Sequence, residues 1–182
     1  MLVALLMLPK QTEWEVPKSL TVLRTLPVRI KPDWHGFAAK LVGAVLWLGE
    51  LVRVRAATRA LDRFVQVIDG VIYAPRGSDG KLGKGLLTHE SVHDYQQRTR
   101  GKVRYVLGYY CSRKYRRHAE AMAYAVEVAI GARGLQDAAE SASDPIYAMK
   151  WTQADASVLI GSYVKQWTTQ CKGVAEARRS NG

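Results

Sequence analysis

Leu86-Leu87-Thr88-His89-Glu90-Ser91-Val92-His93-Asp94-Tyr95-Gln96-Gln97-Arg98-Thr99-Arg100, closed by Gly101, reads as one helix with titratable side chains where core residues belong. Leu86, His89, Glu90, His93 and Gln97 form a single stripe at helical spacing. Gly101 ends the helix because a residue without Cβ takes a left-handed C-cap cheaply. Buried polar groups need partners, and a metal ion supplies one. Two imidazoles four residues apart share one helical face and can chelate a single ion, while Glu90, next to His89, leans toward the ion's open side. Zinc lowers the pKa of water bound to it toward neutrality, and Glu90 is the base that takes the proton. With 4 His and 8 Glu in 182 residues, HExxH arises by chance in roughly half a per cent of such chains.

Upstream, residues 63–75 hold two β-rich runs around Asp69-Gly70, the dipeptide that tolerates the positive φ values of a type I′ hairpin turn. Residues 77–85 are glycine-rich, but no register gives GxxxxGK followed by Ser or Thr, so a loop is expected instead of a phosphate cradle. Residues 19–31 alternate β-branched and basic side chains, and Pro27 assigns them an edge position. Residues 34–60 show helical spacing at Phe37, Leu41, Ala44, Val45, Leu48, Leu51 and Val52. Downstream, helices are expected over 115–131 and 153–169, with about a dozen residues of turn or loop joining the first of them to residue 100. A chain of 182 residues with 48% hydrophobic content buries roughly two thirds of its unfolded surface, which excludes disordered and collagen-like classes. The fold class is therefore α+β, mainly α, in one domain over 1–182. It divides into an N-terminal extended and helical segment (1–60), the hairpin with two metal-site helices (61–131) and C-terminal helices (132–182).

A catalytic zinc takes three protein ligands and keeps one position for water. His118 and Glu120, 25 and 27 residues past His93, are the candidates for the third. They lie about 200° apart on a helix, so both cannot face one ion. Small residues at Ala119 and Ala123 let the helix approach closely on the Glu120 side.

His89-Glu90-x-x-His93 followed by Arg117-x-x-Glu120-x-x-Ala123 resembles the two-helix active site of gluzincin zinc metallopeptidases. That resemblance implies Zn2+ as cofactor, Glu120 as third ligand and a zincin-like domain around residues 60–130. In several gluzincins an Asp four residues after the third ligand hydrogen-bonds a zinc-bound His, whereas this chain has Tyr124. Tyr124 is read as orienting a ligand, as an oxyanion donor or as a packed aromatic. The hairpin and the His93-Asp94-Tyr95-Gln96-Gln97 continuation are also similar to small HExxH peptidases of tailed bacteriophages and prophages. This second resemblance implies a host-cytoplasmic or virion-associated protein. An edge strand within residues 64–75 is the expected place for an extended peptide.

The formal charge of +11 favours anionic partners. Arg98, Arg100, Lys102, Arg104, Arg113, Lys114, Arg116 and Arg117 cluster with Tyr105, Tyr109, Tyr110 and Tyr115 interleaved and no acid between Asp94 and Glu120. They form either a solvated connector or a surface for nucleic acid, membrane or an anionic polymer such as cell wall. The apolar residues 1–8 lack the preceding basic residue and the cleavage site of a secretory leader, and 41–48 is too short to span a bilayer. Cys111 and Cys171 read as buried thiols, with one disulfide as the alternative. His35 and the five tryptophans read as structural, and His118 as a surface or supporting group.

The leading expectation is a zinc-dependent hydrolase acting on a protein or peptide. His89, His93 and Glu120 hold the metal, Glu90 is the general base, and Tyr109, Tyr110 or Tyr124 stabilises the oxyanion. Its rivals are a peptidoglycan amide hydrolase with the same site, and a basic nucleic-acid- or membrane-binding protein whose metal site is structural or degenerate.

Overall fold

Asp69 and Gly70 turn the chain with φ of 54° and 73°, the paired positive values of a type I′ turn. The computed structural model describes residues 14, 16–18, 23–31, 65–75, 80–145 and 149–180. Within it the strands are β1 (Val28–Ile30), β2 (Gln66–Ile68) and β3 (Val71–Ala74). The sheet order is β1-β3-β2. The hairpin pairs Ile68 with Val71, and β1 runs parallel to β3 with Val28 opposite Ile72. The edge position expected from Pro27 is observed. Its carbonyl accepts from the Ile72 N–H at 2.9 Å, and its missing N–H matters little just ahead of an edge strand. Leu26, Val67 and Ile72 are buried against Leu82 and Leu87, so one face of this small sheet sits on the first helix. The helices expected over 34–60, the apolar residues 1–8 and residues 77–79 of the glycine-rich stretch lie outside the described residues.

Among the described residues five helices follow: α1 (Lys84–Arg100), α2 (Lys102–Cys111), α3 (Arg113–Ala129), α4 (Leu135–Ser143) and α5 (Gln153–Ser180). The mainly helical α+β class stands. The connector between α1 and α3 does not fit its expectation, because α2 occupies it. Gly101, at φ 81°, breaks the path after α1, and the Ser112 Oγ accepts from the Tyr115 N–H at 3.2 Å to start α3. This is the side-chain cap that satisfies a free helix-terminal donor. Between the breaks, α2 lies so close to α3 that a Cβ on Gly108 would stand 2.7 Å from the Tyr115 ring.

Helix α3 is the centre, packed against α1, α2, α4 and α5. Ala119, Ala121, Ala123 and Ala125 are fully buried, and their small side chains allow that crowding. Met122, Val126, Met149, Ile160 and Trp167 fill the main core, with Val16 from the N-terminal part. Burying a side chain the size of Met122 or Ile160 contributes roughly 1.5–3 kcal/mol. Among the described residues no helix is long and apolar enough to cross a membrane.

Candidate metal centre

Where α1 crosses α3, the structure brings His89, His93 and Glu120 together, all buried, with one potential ligand atom from each within 4.8 Å of the others. The two Nε2 atoms are 3.1 Å apart. His89 Nε2 lies 3.3 Å from Glu120 Oε2 and His93 Nε2 lies 3.4 Å from Glu120 Oε1. A tetrahedral site with bonds of 2.0–2.1 Å separates its ligand atoms by about 3.4 Å. The donors therefore stand at the spacing a small divalent ion needs.

Hydrogen bonds on the far side of each ring decide what faces inward. Gln96 Nε2 donates to the Ala119 carbonyl at 3.0 Å, which turns its Oε1 toward His93 Nδ1, also at 3.0 Å. An amide oxygen only accepts, so His93 carries its proton on Nδ1. The Tyr105 hydroxyl lies 3.0 Å from the same nitrogen. His89 Nδ1 donates to Glu127 Oε1 at 2.6 Å. When the rings are neutral both Nε2 atoms therefore turn lone pairs toward each other in a buried place, an arrangement that calls for a cation, a proton or a metal ion, between them. Glu120 Oε1 accepts from the Tyr109 hydroxyl, while its buried Oε2 has no hydrogen-bond donor in the protein. That orphaned oxygen and the facing lone pairs fit a metal ion.

The electrostatics of the chain by itself make the same demand for positive charge. Burial disfavours a charged His89, yet Glu120 and Glu127 outweigh it and raise its pKa to about 10. His93 is raised as well, against burial, chiefly by Glu120. Burial would lift Glu120, but His93 and His89 hold it well below the usual carboxylate range. Burial pushes the Glu90 carboxyl up to about 7, opposed by His93 and His89, which places it near the pH where a general base works best.

The other expected site residues separate. Tyr109 reaches the centre through Glu120, its ring edge-on to His93 with centroids 6.2 Å apart. Tyr124 packs its ring edge-on to His89 with centroids 4.7 Å apart, the contact of a packed aromatic. The Tyr110 side chain lies outside the described residues. His118 stands on another face of α3, its Nδ1 2.7 Å from the Tyr163 hydroxyl. Gln97 departs from its expected stripe, because its Nε2 donates to the Val67 carbonyl at 3.0 Å. It is Gln96, one residue earlier, that reaches His93. Strand β2 is indeed an edge of the sheet, and Gln97 occupies this carbonyl on it.

The basic cluster is largely occupied within the fold. Arg98 pairs with Asp94 at 2.7 Å and Lys102 with Asp69. Arg100 sits over the Trp14 ring at 3.9 Å. Arg116 and Arg117 donate to the carbonyls of Tyr109 and Met149. Arg104 and Lys114 are exposed, and Arg113 and Lys114 line an open groove with Trp151 and Leu159. Cys171 is a free, half-buried thiol, not the buried group or disulfide expected of it.

Glu127, Gln96 and Tyr105 were not expected at the site. Glu127 follows Glu120 by seven residues, two helical turns, and Gln96 follows His93 by three, so both spacings carried a readable signal. Compared with family models, with curated proteins and with solved structures, the chain matches none.

Proposed function

We propose that this protein is a zinc-dependent hydrolase, a metallopeptidase in which His89, His93 and Glu120 hold the ion and Glu90 is the general base. The observation that carries the reading is the approach of the two Nε2 atoms to 3.1 Å beside the orphaned Glu120 oxygen. Two imidazoles and one carboxylate suit zinc. Among the described residues three donors gather and not four, the number that leaves room for water. When bound, the ion acts as a Lewis acid that polarises a carbonyl and acidifies water. Glu90 takes the water's proton as attack on the amide carbonyl begins and passes it to the leaving amine. The Tyr109 hydroxyl, beside Glu120, is better placed than Tyr124 to donate to the developing oxyanion.

A second reading, a structural ion that ties α1 to α3, draws on the burial of all four groups, each 7% exposed or less. Assaying zinc content and peptide hydrolysis together for wild type and Glu90→Gln separates the two. The hydrolase reading expects unchanged zinc and a rate lower by ~10²- to 10⁴-fold. Equal rates with full zinc would reject Glu90 as the base. Purified cell wall assayed in parallel tests whether the amide belongs to peptidoglycan.

A further inference from the structure

We propose that Glu127 is the positioning residue for His89, held in place by Arg133, and that it sets how tightly the site keeps a divalent metal. This inference rests on the metal-site reading above. The position where the resemblance leads one to look for such a carboxylate holds Tyr124, and Glu127 comes from almost one turn further along α3.

The geometry supports the assignment from four sides. Glu127 is 2% exposed and its Oε1 accepts from His89 Nδ1 at 2.6 Å. Its Oε2 lies 3.2 Å from Arg133 Nε. Arg133 is itself anchored, donating from Nη1 to Ser141 Oγ at 2.7 Å and lying 5.3 Å from the centre of the Tyr124 ring. Gly85, in the first turn of α1, leaves room for the carboxylate, since a Cβ there would stand 3.2 Å from Glu127 Oε2. The start of α1, the end of α3 and the turn after it thus converge on one oxygen pair. A carboxylate accepting from Nδ1 keeps the proton on that nitrogen, orients the ring and makes Nε2 a stronger donor to a metal.

Charge gives a second reason. Glu90, Glu120 and Glu127 are three buried carboxylates around two imidazoles that bind a metal only when neutral. Arg133 answers one of them, and a dication answers the other two. Glu127 without Arg133 would leave the centre with a surplus of buried negative charge, which is strongly unfavourable.

The test compares zinc affinity of the full-length wild type, Glu127→Gln and Glu127→Asp by competition with a chromophoric chelator. Gln retains an oxygen at the same reach and loses the charge, whereas Asp retains the charge and falls short of His89 by one methylene. Positioning predicts that both weaken zinc, by roughly 10- to 100-fold, with Asp the weaker binder. Equal affinity in all three overturns the proposal, and so does weakening in Gln alone, which would mean that charge acts without contact. Wild type that takes up no zinc overturns instead the metal-site reading. Should a variant fail to fold, the wild type carries its own readout, a slowly exchanging downfield His89 Nδ1 proton in the zinc-loaded protein. Its absence from the NMR spectrum overturns the proposal.

Discussion

Two faces of α3 carry similar residues to opposite ends. On one, Glu120 and Glu127 meet His89 and His93 in a buried cluster whose imidazole pKa values are pushed up. On another, His118, two residues before Glu120, meets the Tyr163 hydroxyl and stacks on Trp14 with planes 12° apart. There burial, Lys114 and Arg100 lower the pKa of His118, and burial raises that of Tyr163. A histidine becomes a candidate ligand through what the rest of its ring touches. Carboxylate and amide oxygens fix the donor tautomer and supply negative charge, while a phenol and nearby cations supply neither.

The sharpest way to press this contrast is pH. Binding a metal requires neutral His89 and His93, so zinc uptake should release protons and its apparent affinity should rise about tenfold per pH unit for each proton released. For His89 the rise should continue until about pH 10. Folding stability of the metal-free chain should move the other way. His89 has a folded pKa above its unfolded value, so its contribution is complete below about pH 6.5 and disappears as pH passes 10. Glu90 loses its contribution between about 4.5 and 7, so both slopes are negative. Chelator competition and thermal melts across pH 5–10, with and without zinc, check both directions. A flat zinc affinity would remove the charge distinction between the two faces.

A smaller effect is expected where α2 meets α3. Gly108→Ala forces a methyl against the Tyr115 ring, and overpacking of this kind destabilises by about 1–3 kcal/mol. Because α2 also brings Tyr105 and Tyr109 to His93 and Glu120, zinc affinity should fall along with the melting temperature. An unchanged melting temperature would mean that the close approach of the two helices is not needed.

The smallest effect belongs to the other face. His118→Ala removes one hydrogen bond to Tyr163, a loss on the order of 1 kcal/mol, and should leave zinc affinity unchanged. A fall in zinc binding as large as that of a ligand variant would break the distinction between the faces.

Much of the fold was legible because it is local. Asp69-Gly70 announces its turn by which residues tolerate positive φ, and α1 announces itself by spacing. Helix α2 was not legible. Gly101 and Gly108 depress helical propensity, and the reason for Gly108 is the Tyr115 ring on another element. That His89, His93 and Glu120 meet was readable from the spacing of the motif and the resemblance it suggested. Their supports depend on how helices cross. Gln96 and Gln97 differ by 100° around α1, and only the position of β2 decides that Gln97 serves the sheet while Gln96 serves His93. Glu127 lay on the Glu120 face by spacing, but nothing local says that the end of α3 reaches His89.

The most direct test of the account is elemental analysis of purified wild type beside Glu120→Ala and His118→Ala. One zinc per chain in wild type and His118→Ala, with little or none in Glu120→Ala, is the result this account predicts. No zinc in wild type even after zinc is added, or equal zinc in all three, would contradict it.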